Sequence, residues 1–142
     1  MFENEVYPGI KELLRVLTKQ GILCLVATSK PEIYAKKILD YYKLRTYFHY
    51  IAGANMDGTR TDKAEVIAYA LKQIPAEYNN KKILMVGDRS HDIIGAKKNG
   101  IDCAGVLFGY GSREELEEAG ADFVADSVEA VRNIILLDTA MN

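Results

Sequence analysis

The chain has 142 residues, of which 49% are hydrophobic, and its 18 basic and 20 acidic residues leave a formal net charge of −2. This length can bury the core of one globular domain and is too short to predict two. No basic stretch alternates with aromatic residues, so the composition argues against nucleic acid and anionic membrane surfaces as partners. We therefore expect a single domain that acts on a small molecule.

Both cysteines, Cys24 and Cys103, lie in apolar runs, and neither has a C-x-x-C neighbour. This arrangement is typical of buried thiols in a reducing compartment and argues against metal binding by the cysteines. The acidic start of the chain does not resemble a targeting segment, and no apolar run approaches the roughly 20 residues of a membrane span. The sequence therefore predicts a cytoplasmic protein.

The predicted elements alternate between helices and strands. Pro8 begins a helix with apolar residues at helical spacing, which ends at Gly21. Further helices are predicted at 33–42, 62–74, after Ser90, at 112–119 and at 127–137, with strands at 22–27, 48–52, 83–86, 101–106 and 123–125. Since right-handed crossovers join such strands, we expect an α/β fold with a doubly wound parallel sheet of about five strands. Ligands of such sheets bind at the carboxyl ends of the strands.

Thr28 and Ser29 directly follow the first predicted strand, with Lys30 beside them. Their hydroxyls and the N–H groups of the next helix can donate hydrogen bonds to an anionic oxygen, as phosphate binding requires. The alternative is ordinary N-capping of that helix, because Ser and Thr are common caps. The segment alone leaves both interpretations open.

Lys63 follows a polar loop after the second strand and lies in the first turn of a predicted helix. The helix dipole disfavours a cation there, so the residue departs from a local rule. Such departures are expected where function requires them, which makes Lys63 a candidate for neutralising phosphate charge. The alternative is a solvated surface lysine.

Asp88 and Asp92 lie in a tight strand-to-helix turn after the third strand, 83–86, which is apolar at every position. Such a strand is expected to be buried on both faces, so its carboxyl end should meet a ligand. With Ser90 as the candidate N-cap, Asp92 falls in the first helical turn. Two carboxylates suit a hard cation, although the turn could also serve only to stabilise the helix start.

Taken in order, these segments resemble the haloacid dehalogenase-like phosphohydrolases. They are most similar to the phosphoglycolate phosphatase and 5'-nucleotidase-like branch, and the resemblance covers essentially the whole chain. The matching segments are 28–31, 58–63, 87–92, Gly95-Ala96, Asn99-Gly100, 105–106 and 109–112. The resemblance implies a Rossmann-like core that acts on phosphomonoesters.

The resemblance also implies a role for each candidate residue. Thr28 would be the phosphate-binding hydroxyl, with Ser29 as an outer contact. Lys63 would bind the phosphate and offset its charge, and Asp88 and Asp92 would hold magnesium. Lys63 and Asp88 are then the catalytic candidates of this chain, because magnesium and a lysine usually assist phosphoryl transfer by positioning and polarising the phosphate.

The family's nucleophile segment, Asp-x-Asp-Gly-x-Thr after the first strand, is absent from these 142 residues, as is the helical cap. Asn55-Met56-Asp57-Gly58-Thr59 mimics that segment, but an asparagine amide is a poor nucleophile and the family has a loop before the lysine. We interpret it as that loop, with Asn55 as a candidate outer contact. The chain is therefore expected to be inactive alone and to bind magnesium weakly or not at all.

In the family, the missing strand lies in the middle of the sheet, between the strands that end near Thr28 and Asp88. Unpaired backbone groups at such a gap would be costly in the interior. Three remedies are open: direct pairing of the flanking strands, insertion of residues 1–6, or a strand from a second polypeptide.

The leading hypothesis is the core portion of a magnesium-dependent phosphatase that forms an aspartyl-phosphate when whole and acts on a small phosphorylated metabolite. The alternative is a non-catalytic truncated relative that serves as a binding domain. A response-regulator-like domain fits less well, because no carboxylate follows the first strand. Phosphoglycolate and nucleoside monophosphates are equal candidate substrates, and Phe108, Tyr110 and Arg113 are candidate contacts to substrate or cap.

Overall fold

A computed structural model of the chain describes residues 8–60 and 62–140. The chain divides into two compact units, Met1–Gln73 and Ile74–Asn142, which are called the N-terminal and C-terminal units below. Residues 1–6, one of the three candidates for filling the missing strand, lie outside the described residues. Within residues 8–60 and 62–140, no helix combines the length and apolar character that crossing a membrane requires.

The N-terminal unit contains two parallel strands and three helices in alternating order. These are α1 (Ile10–Lys19), β1 (Leu25–Pro31), α2 (Glu32–Tyr41), β2 (Tyr50–Ala54) and α3 (Lys63–Lys72), with a short 3-10 helix at Arg45–Tyr47. Helix α3 packs against both strands, and Ala52, Val66 and Ala70 form a buried cluster between them. The apolar face predicted for α1 is confirmed, since Ile10, Leu13, Leu14 and Leu17 are buried.

Strand β1 differs from the prediction at both ends. It begins three residues later than predicted and continues through Thr28 to Pro31. The ladder pairs Ala27 with Ala52 and resumes only at Pro31 opposite Ala54, so the register shifts between these pairs. Extra residues in one strand form a bulge, which bends that strand and re-aims its side chains. Thr28, Ser29 and Lys30 therefore lie in a bulge rather than in a loop after the strand.

The C-terminal unit contains three parallel strands in the order β3-β4-β5. Its elements are a 3-10 helix at Ala76–Tyr78, β3 (Leu84–Gly87), α4 (Ser90–Lys98), β4 (Asp102–Val106), α5 (Arg113–Ala119), β5 (Phe123–Ala125) and α6 (Val128–Ala140). Ile93, Ala96, Cys103 and Leu116 are completely buried together. The α/β class, the five strands and the parallel pairing that the sequence predicts are confirmed.

The prediction that the third strand is buried on both faces is wrong for this unit. Leu84, Met85 and Val86 of β3 are only half-buried, whereas the β4 residues from Cys103 to Val106 are buried. The physical reason is the strand order, because β3 is at one edge of its three-stranded sheet and β4 is in the middle. Continuous apolar character therefore did not distinguish an edge strand from a central one.

Cys103 is buried, as predicted, and is hydrogen-bonded to Asp122, whose carboxylate should make the stability of this unit depend on pH. Its Oδ2 accepts hydrogen bonds from the Cys103 backbone N–H at 2.9 Å and from Sγ at 3.5 Å, and Lys97 Nζ lies 3.6 Å from Oδ1. The backbone N–H of Cys103, then its thiol, and then Lys97 lower the pKa of Asp122 from its ordinary value of 3.8. The carboxylate therefore stabilises the fold above that pH, and this contribution is lost as the pH falls through the lowered pKa.

We expect Asp122→Asn to lower the Tm at a pH of about 7, with a smaller difference from the wild type as the pH falls below about 4. Thermal unfolding monitored by circular dichroism over this pH range measures the effect. Asp126→Asn, at a nearby exposed carboxylate, is the matched control and should leave the profile unchanged. A Tm difference that stayed constant over the range would contradict this role of Asp122.

Candidate functional site

Thr28 is buried in the β1 bulge, with 3% of its surface exposed. Its Oγ1 accepts a hydrogen bond from the Lys30 backbone N–H at 3.2 Å, which leaves the hydroxyl hydrogen to be donated elsewhere. The N-capping alternative is wrong, because α2 begins after Pro31 and no side chain caps it. Ser29 is exposed. A buried hydroxyl that does not cap a helix remains a candidate for ligand binding.

Gly53 brings β2 into close contact with the chain that follows the bulge. A Cβ at this position would lie 2.7 Å from the Lys30 carbonyl oxygen and 2.7 Å from the Glu32 Cα, which is too close for any side chain. Glycine is thus required here by proximity rather than by an unusual backbone angle. The contact fixes the position of the segment that follows Thr28.

The loop after β2 is closed on itself by short polar contacts. Asn55 Nδ2 donates to Thr59 Oγ1 at 2.8 Å, and Asp57 Oδ1 accepts from the Thr59 N–H at 3.0 Å. The Thr59 backbone N–H and hydroxyl lower the pKa of Asp57. Asn55 is exposed and holds the turn, and its predicted outer contact with a ligand stays a prediction.

Lys63 is the first residue of α3 and is buried, with 6% of its surface exposed. Asp62 precedes it as the N-cap and accepts a hydrogen bond from the Ala64 N–H at 3.1 Å. The alternative of a solvated lysine is therefore wrong. A buried cation at a helix N-terminus is disfavoured by both desolvation and the helix dipole, so its position requires compensating negative charge.

Asp88 lies at the end of β3, beneath the loop Gly109-Tyr110-Gly111. Its side chain is 8% exposed, and Oδ2 accepts a hydrogen bond from the Tyr110 backbone N–H at 3.0 Å. The Gly111 N–H donates to the Asp88 carbonyl oxygen at 2.8 Å. A Cβ on Gly109 would lie 2.4 Å from Asp88 Oδ2 and one on Gly111 2.2 Å from the Asp88 oxygen, so only glycine fits at either place. The loop thereby orients the Asp88 carboxylate.

Asp92 is 1% exposed and organises the turn that contains Asp88. Its Oδ2 accepts hydrogen bonds from the backbone N–H groups of Asp88 at 3.1 Å and Arg89 at 3.2 Å. The predicted N-cap at Ser90 is wrong, because Arg89 is the N-cap and Ser90 is the first helical residue. Asp92 instead accepts from the N–H groups of the N-cap residue Arg89 and of Asp88 before it, so it holds the turn rather than replacing a Ser90 cap.

Glu115 of α5 is a site residue that sequence reasoning missed. Its Oε2 accepts hydrogen bonds from the Ser90 backbone N–H at 2.7 Å and from Arg89 Nε at 3.0 Å. The Ser90 N–H, and then Arg89, lower the pKa of Glu115. Nothing in its acidic helix distinguishes this glutamate from its neighbours. Only the packing of α5 against α4 reveals that it holds the start of α4.

The donor set at Asp88 and Asp92 fits part of a magnesium shell. Magnesium requires six oxygen ligands in near-octahedral geometry and usually keeps several waters. Asp88 Oδ1 and the Asp92 carboxylate are hard oxygen donors four residues apart on one buried turn. Within residues 8–60 and 62–140, no group of three or more His, Cys, Asp or Glu side chains is arranged to hold a metal ion. The remaining ligands would have to be water, phosphate or groups beyond these residues.

Of the three candidate contacts to substrate or cap, two are exposed. The Tyr110 side chain is 65% exposed, while its backbone N–H is used by Asp88. Arg113 is also exposed and pairs with Glu117 at 3.5 Å. Phe108 is half-buried. Substrate contact by these residues stays a prediction.

The C-terminal unit therefore presents Asp88 and Asp92, and the N-terminal unit presents Thr28 and Lys63. A family model described as haloacid dehalogenase-like hydrolase matches residues 2–106. The chain belongs to the haloacid dehalogenase-like hydrolase family. The resemblance inferred from the sequence is confirmed, and the match covers nearly all of the N-terminal unit and extends through residue 106 of the C-terminal unit.

Three curated relatives match nearly the whole chain. A 5'-nucleotidase of Pseudomonas aeruginosa is 39% identical over 95% of this chain and 60% of its own length. The tyrosine-protein kinase PtkA of Mycobacterium tuberculosis is 38% identical over 93% of this chain and 45% of its own length. A phosphoglycolate phosphatase of Pseudomonas fluorescens is 32% identical over 95% of this chain and 48% of its own length. The chain thus spans about half the length of these relatives.

A solved structure of similar sequence supports the fold. The crystal structure of a predicted phosphatase from Clostridium acetobutylicum matches with a TM-score of 0.85 and 43% identity, covering 94% of this chain and 61% of that one. The α/β core of this family therefore extends over nearly all of the chain.

Proposed function

We propose that this chain is the core portion of a magnesium-dependent phosphomonoester phosphatase of the phosphoglycolate phosphatase or 5'-nucleotidase kind. One observation carries the proposal. Among the residues whose burial the structure describes, the buried polar or charged side chains are Thr28, Lys63, Asp88 and Asp92. Charged side chains are seldom fully buried unless a partner or ligand compensates them. Burial therefore selects the four residues to which the family resemblance assigns phosphate and metal binding.

Each group has a distinct role in the proposed reaction. The Lys63 ammonium neutralises phosphate charge and the Thr28 hydroxyl donates to a phosphate oxygen, while the exposed Ser29 makes an outer contact. Asp88 and Asp92 hold magnesium, which supplies further charge neutralisation when bound. The whole enzyme would transfer the phosphoryl group to an aspartate and then to water. This chain contains no Asp-x-Asp-Gly-x-Thr segment, so its residues bind and orient phosphate without supplying a nucleophile.

The first test measures phosphate binding. We expect inorganic phosphate to shift the NMR signals of Thr28 and Lys63 in the wild-type chain, and Lys63→Met to weaken that binding about tenfold or more. The physical reason is the loss of a charge-assisted hydrogen bond, of about 1.5–3 kcal/mol. Lys72→Met, at an exposed lysine near the end of the same helix, is the matched control. Equal binding by the two variants would contradict the assignment of Lys63.

The second test measures turnover. The purified chain is assayed with magnesium on phosphoglycolate, a nucleoside 5'-monophosphate and a chromogenic phosphomonoester. We expect the wild type to release no more phosphate than Asp88→Asn does. Turnover that disappears in Asp88→Asn would show that the chain is a complete enzyme and would refute the missing-nucleophile part of the proposal.

The alternative proposal is a non-catalytic relative that binds a phosphorylated ligand. This alternative needs only the buried Thr28, Lys63, Asp88 and Asp92 and no nucleophile from outside these residues. The genomic sequence upstream of Met1 distinguishes the two. An Asp-x-Asp-Gly-x-Thr segment in the same reading frame would favour the phosphatase, and an in-frame stop codon would favour the binding protein.

A further inference from the structure

Arg60 has an unusual backbone for a residue that is not glycine. Its φ angle is 53°, in the left-handed region, where a Cβ approaches the following carbonyl oxygen. Such a conformation persists only when surrounding contacts maintain it, and it is a reason to examine the residue for function. Arg60 also lies three positions before Lys63.

The Arg60 side chain is held on two sides. Its Nε donates a hydrogen bond to the Gly53 carbonyl oxygen at 2.9 Å, and its guanidinium carbon lies 3.8 Å from the centre of the Tyr69 ring. The Tyr69 hydroxyl is in turn 3.0 Å from the Tyr50 hydroxyl. Cation–π stacking and a directed hydrogen bond fix a planar guanidinium more firmly than either contact alone.

Gly53 links this contact to the bulge that contains Thr28. The Gly53 carbonyl oxygen accepts the hydrogen bond from Arg60. The same residue packs so closely against Lys30 and Glu32 that a Cβ would not fit there. The Lys30 N–H, for its part, is bonded to Thr28 Oγ1. A set of contacts therefore runs from the Thr28 bulge through Gly53 to Arg60, which lies three residues before Lys63 in the sequence.

We infer that Arg60 is a positioning residue that couples the Thr28–Lys30 bulge to the start of α3 at Lys63. Arg60 is held against Gly53 of β2, the residue whose close contact with Lys30 and Glu32 fixes the bulge. The coupling is a property of this unit, and its use for orienting a phosphate ligand rests on the proposed function. Arg60 would act through Thr28 and Lys63 rather than by touching the reacting atoms.

Amide hydrogen exchange in the ligand-free chain tests the coupling. We expect Arg60→Ala to accelerate exchange of the Lys30 and Ala64 amides at least about tenfold more than exchange of the Leu39 amide in the interior of α2. A residue that contributes only to global stability would change all three by the same factor, because exchange would then follow global unfolding. Equal factors, or no change at Lys30, would overturn the inference.

Two variants keep the test decisive. Tyr69→Leu removes the stacking ring but retains the hydrogen bond from Arg60 to Gly53. Arg60→Lys keeps the charge without the planar guanidinium. Both should accelerate exchange of the Lys30 and Ala64 amides less than Arg60→Ala does. Arg45→Ala, at an exposed arginine paired with Asp40 at 2.9 Å, is the control and should leave both amides unchanged. If Arg60→Ala does not fold, the same pattern in Tyr69→Leu decides the outcome.

A phosphate titration separates this inference from the proposed function. With a functional phosphate site, Arg60→Ala should weaken binding of inorganic phosphate severalfold while Arg45→Ala does not. If the wild-type chain does not bind phosphate, the proposed function fails while the exchange result still decides the coupling. If the wild-type chain binds phosphate but exchange at Lys30 and Ala64 is not selectively accelerated, the coupling fails and the proposed function stands.

Discussion

Replacing Gly111 with alanine is expected to destabilise the C-terminal unit by about 2–3 kcal/mol, near the upper end for overpacking. The added Cβ would lie 2.2 Å from the carbonyl oxygen of Asp88, a backbone atom that cannot rotate away. The loop would have to move, which also breaks the 2.8 Å hydrogen bond from the Gly111 N–H to that oxygen. Urea unfolding of the wild type and the variant measures the free energy difference.

The neighbouring residue provides the control for this experiment. Tyr110 is 65% exposed and contributes its backbone N–H to Asp88, so Tyr110→Ala retains that hydrogen bond. We expect it to change the free energy of unfolding by less than about 0.5 kcal/mol. Equal stability of the two variants would show that the loop adapts to a side chain, and Asp88 would then not depend on close glycine packing.

Replacing Asp92 with alanine is expected to lower the free energy of unfolding by about 2–4 kcal/mol, because two backbone N–H groups lose a charged acceptor. These are the N–H groups of Asp88 and Arg89, bonded to Asp92 Oδ2 at 3.1 Å and 3.2 Å. Asp92 itself is 1% exposed, so water does not readily replace the carboxylate. Urea unfolding measures this loss, and amide NMR shifts of Asp88 and Arg89 report the turn directly.

Asp88→Asn provides the comparison that separates structure from ligand binding. An asparagine side-chain oxygen still accepts the hydrogen bond from the Tyr110 N–H, so we expect a change below about 1 kcal/mol. The two acids would then differ in their structural role: Asp92 supports the turn as well as the proposed ligand, whereas Asp88 serves chiefly the ligand. A large loss of stability in Asp88→Asn would refute this division.

Local patterns in the sequence correctly predicted which segments are helices and strands. The apolar spacing of α1 and the helices predicted at 62–74 and 112–119 depend on residues within a few turns of each other, and the structure confirms all three helices. The resemblance to the haloacid dehalogenase-like family rests on equally local segments, and the family match confirms it. These features follow from short-range chemistry, which a sequence displays directly.

Errors arose wherever a neighbour in space altered a local preference. Ser90 has the chemistry of a cap, but Asp92 and Glu115 take the available N–H groups of the α4 start. The apolar strand β3 was expected to be buried on both faces, but among the described residues β3 pairs with a neighbouring strand, β4, on one side only. Neither the competing acceptor in α5 nor the strand order can be inferred from the segment itself.

The sequence by itself determined the α/β class, the order of the elements, the family and the four candidate residues, because strand and helix periodicity and short motifs are local properties. The tertiary structure decided that those four side chains are buried, that Thr28 lies in a bulge and not at a helix cap, and that glycines enclose Asp88. Burial and close approach depend on atoms far apart in the chain. The contacts of Arg60 with Gly53 and Tyr69 also depend on tertiary structure, because they join a loop to a strand and a helix.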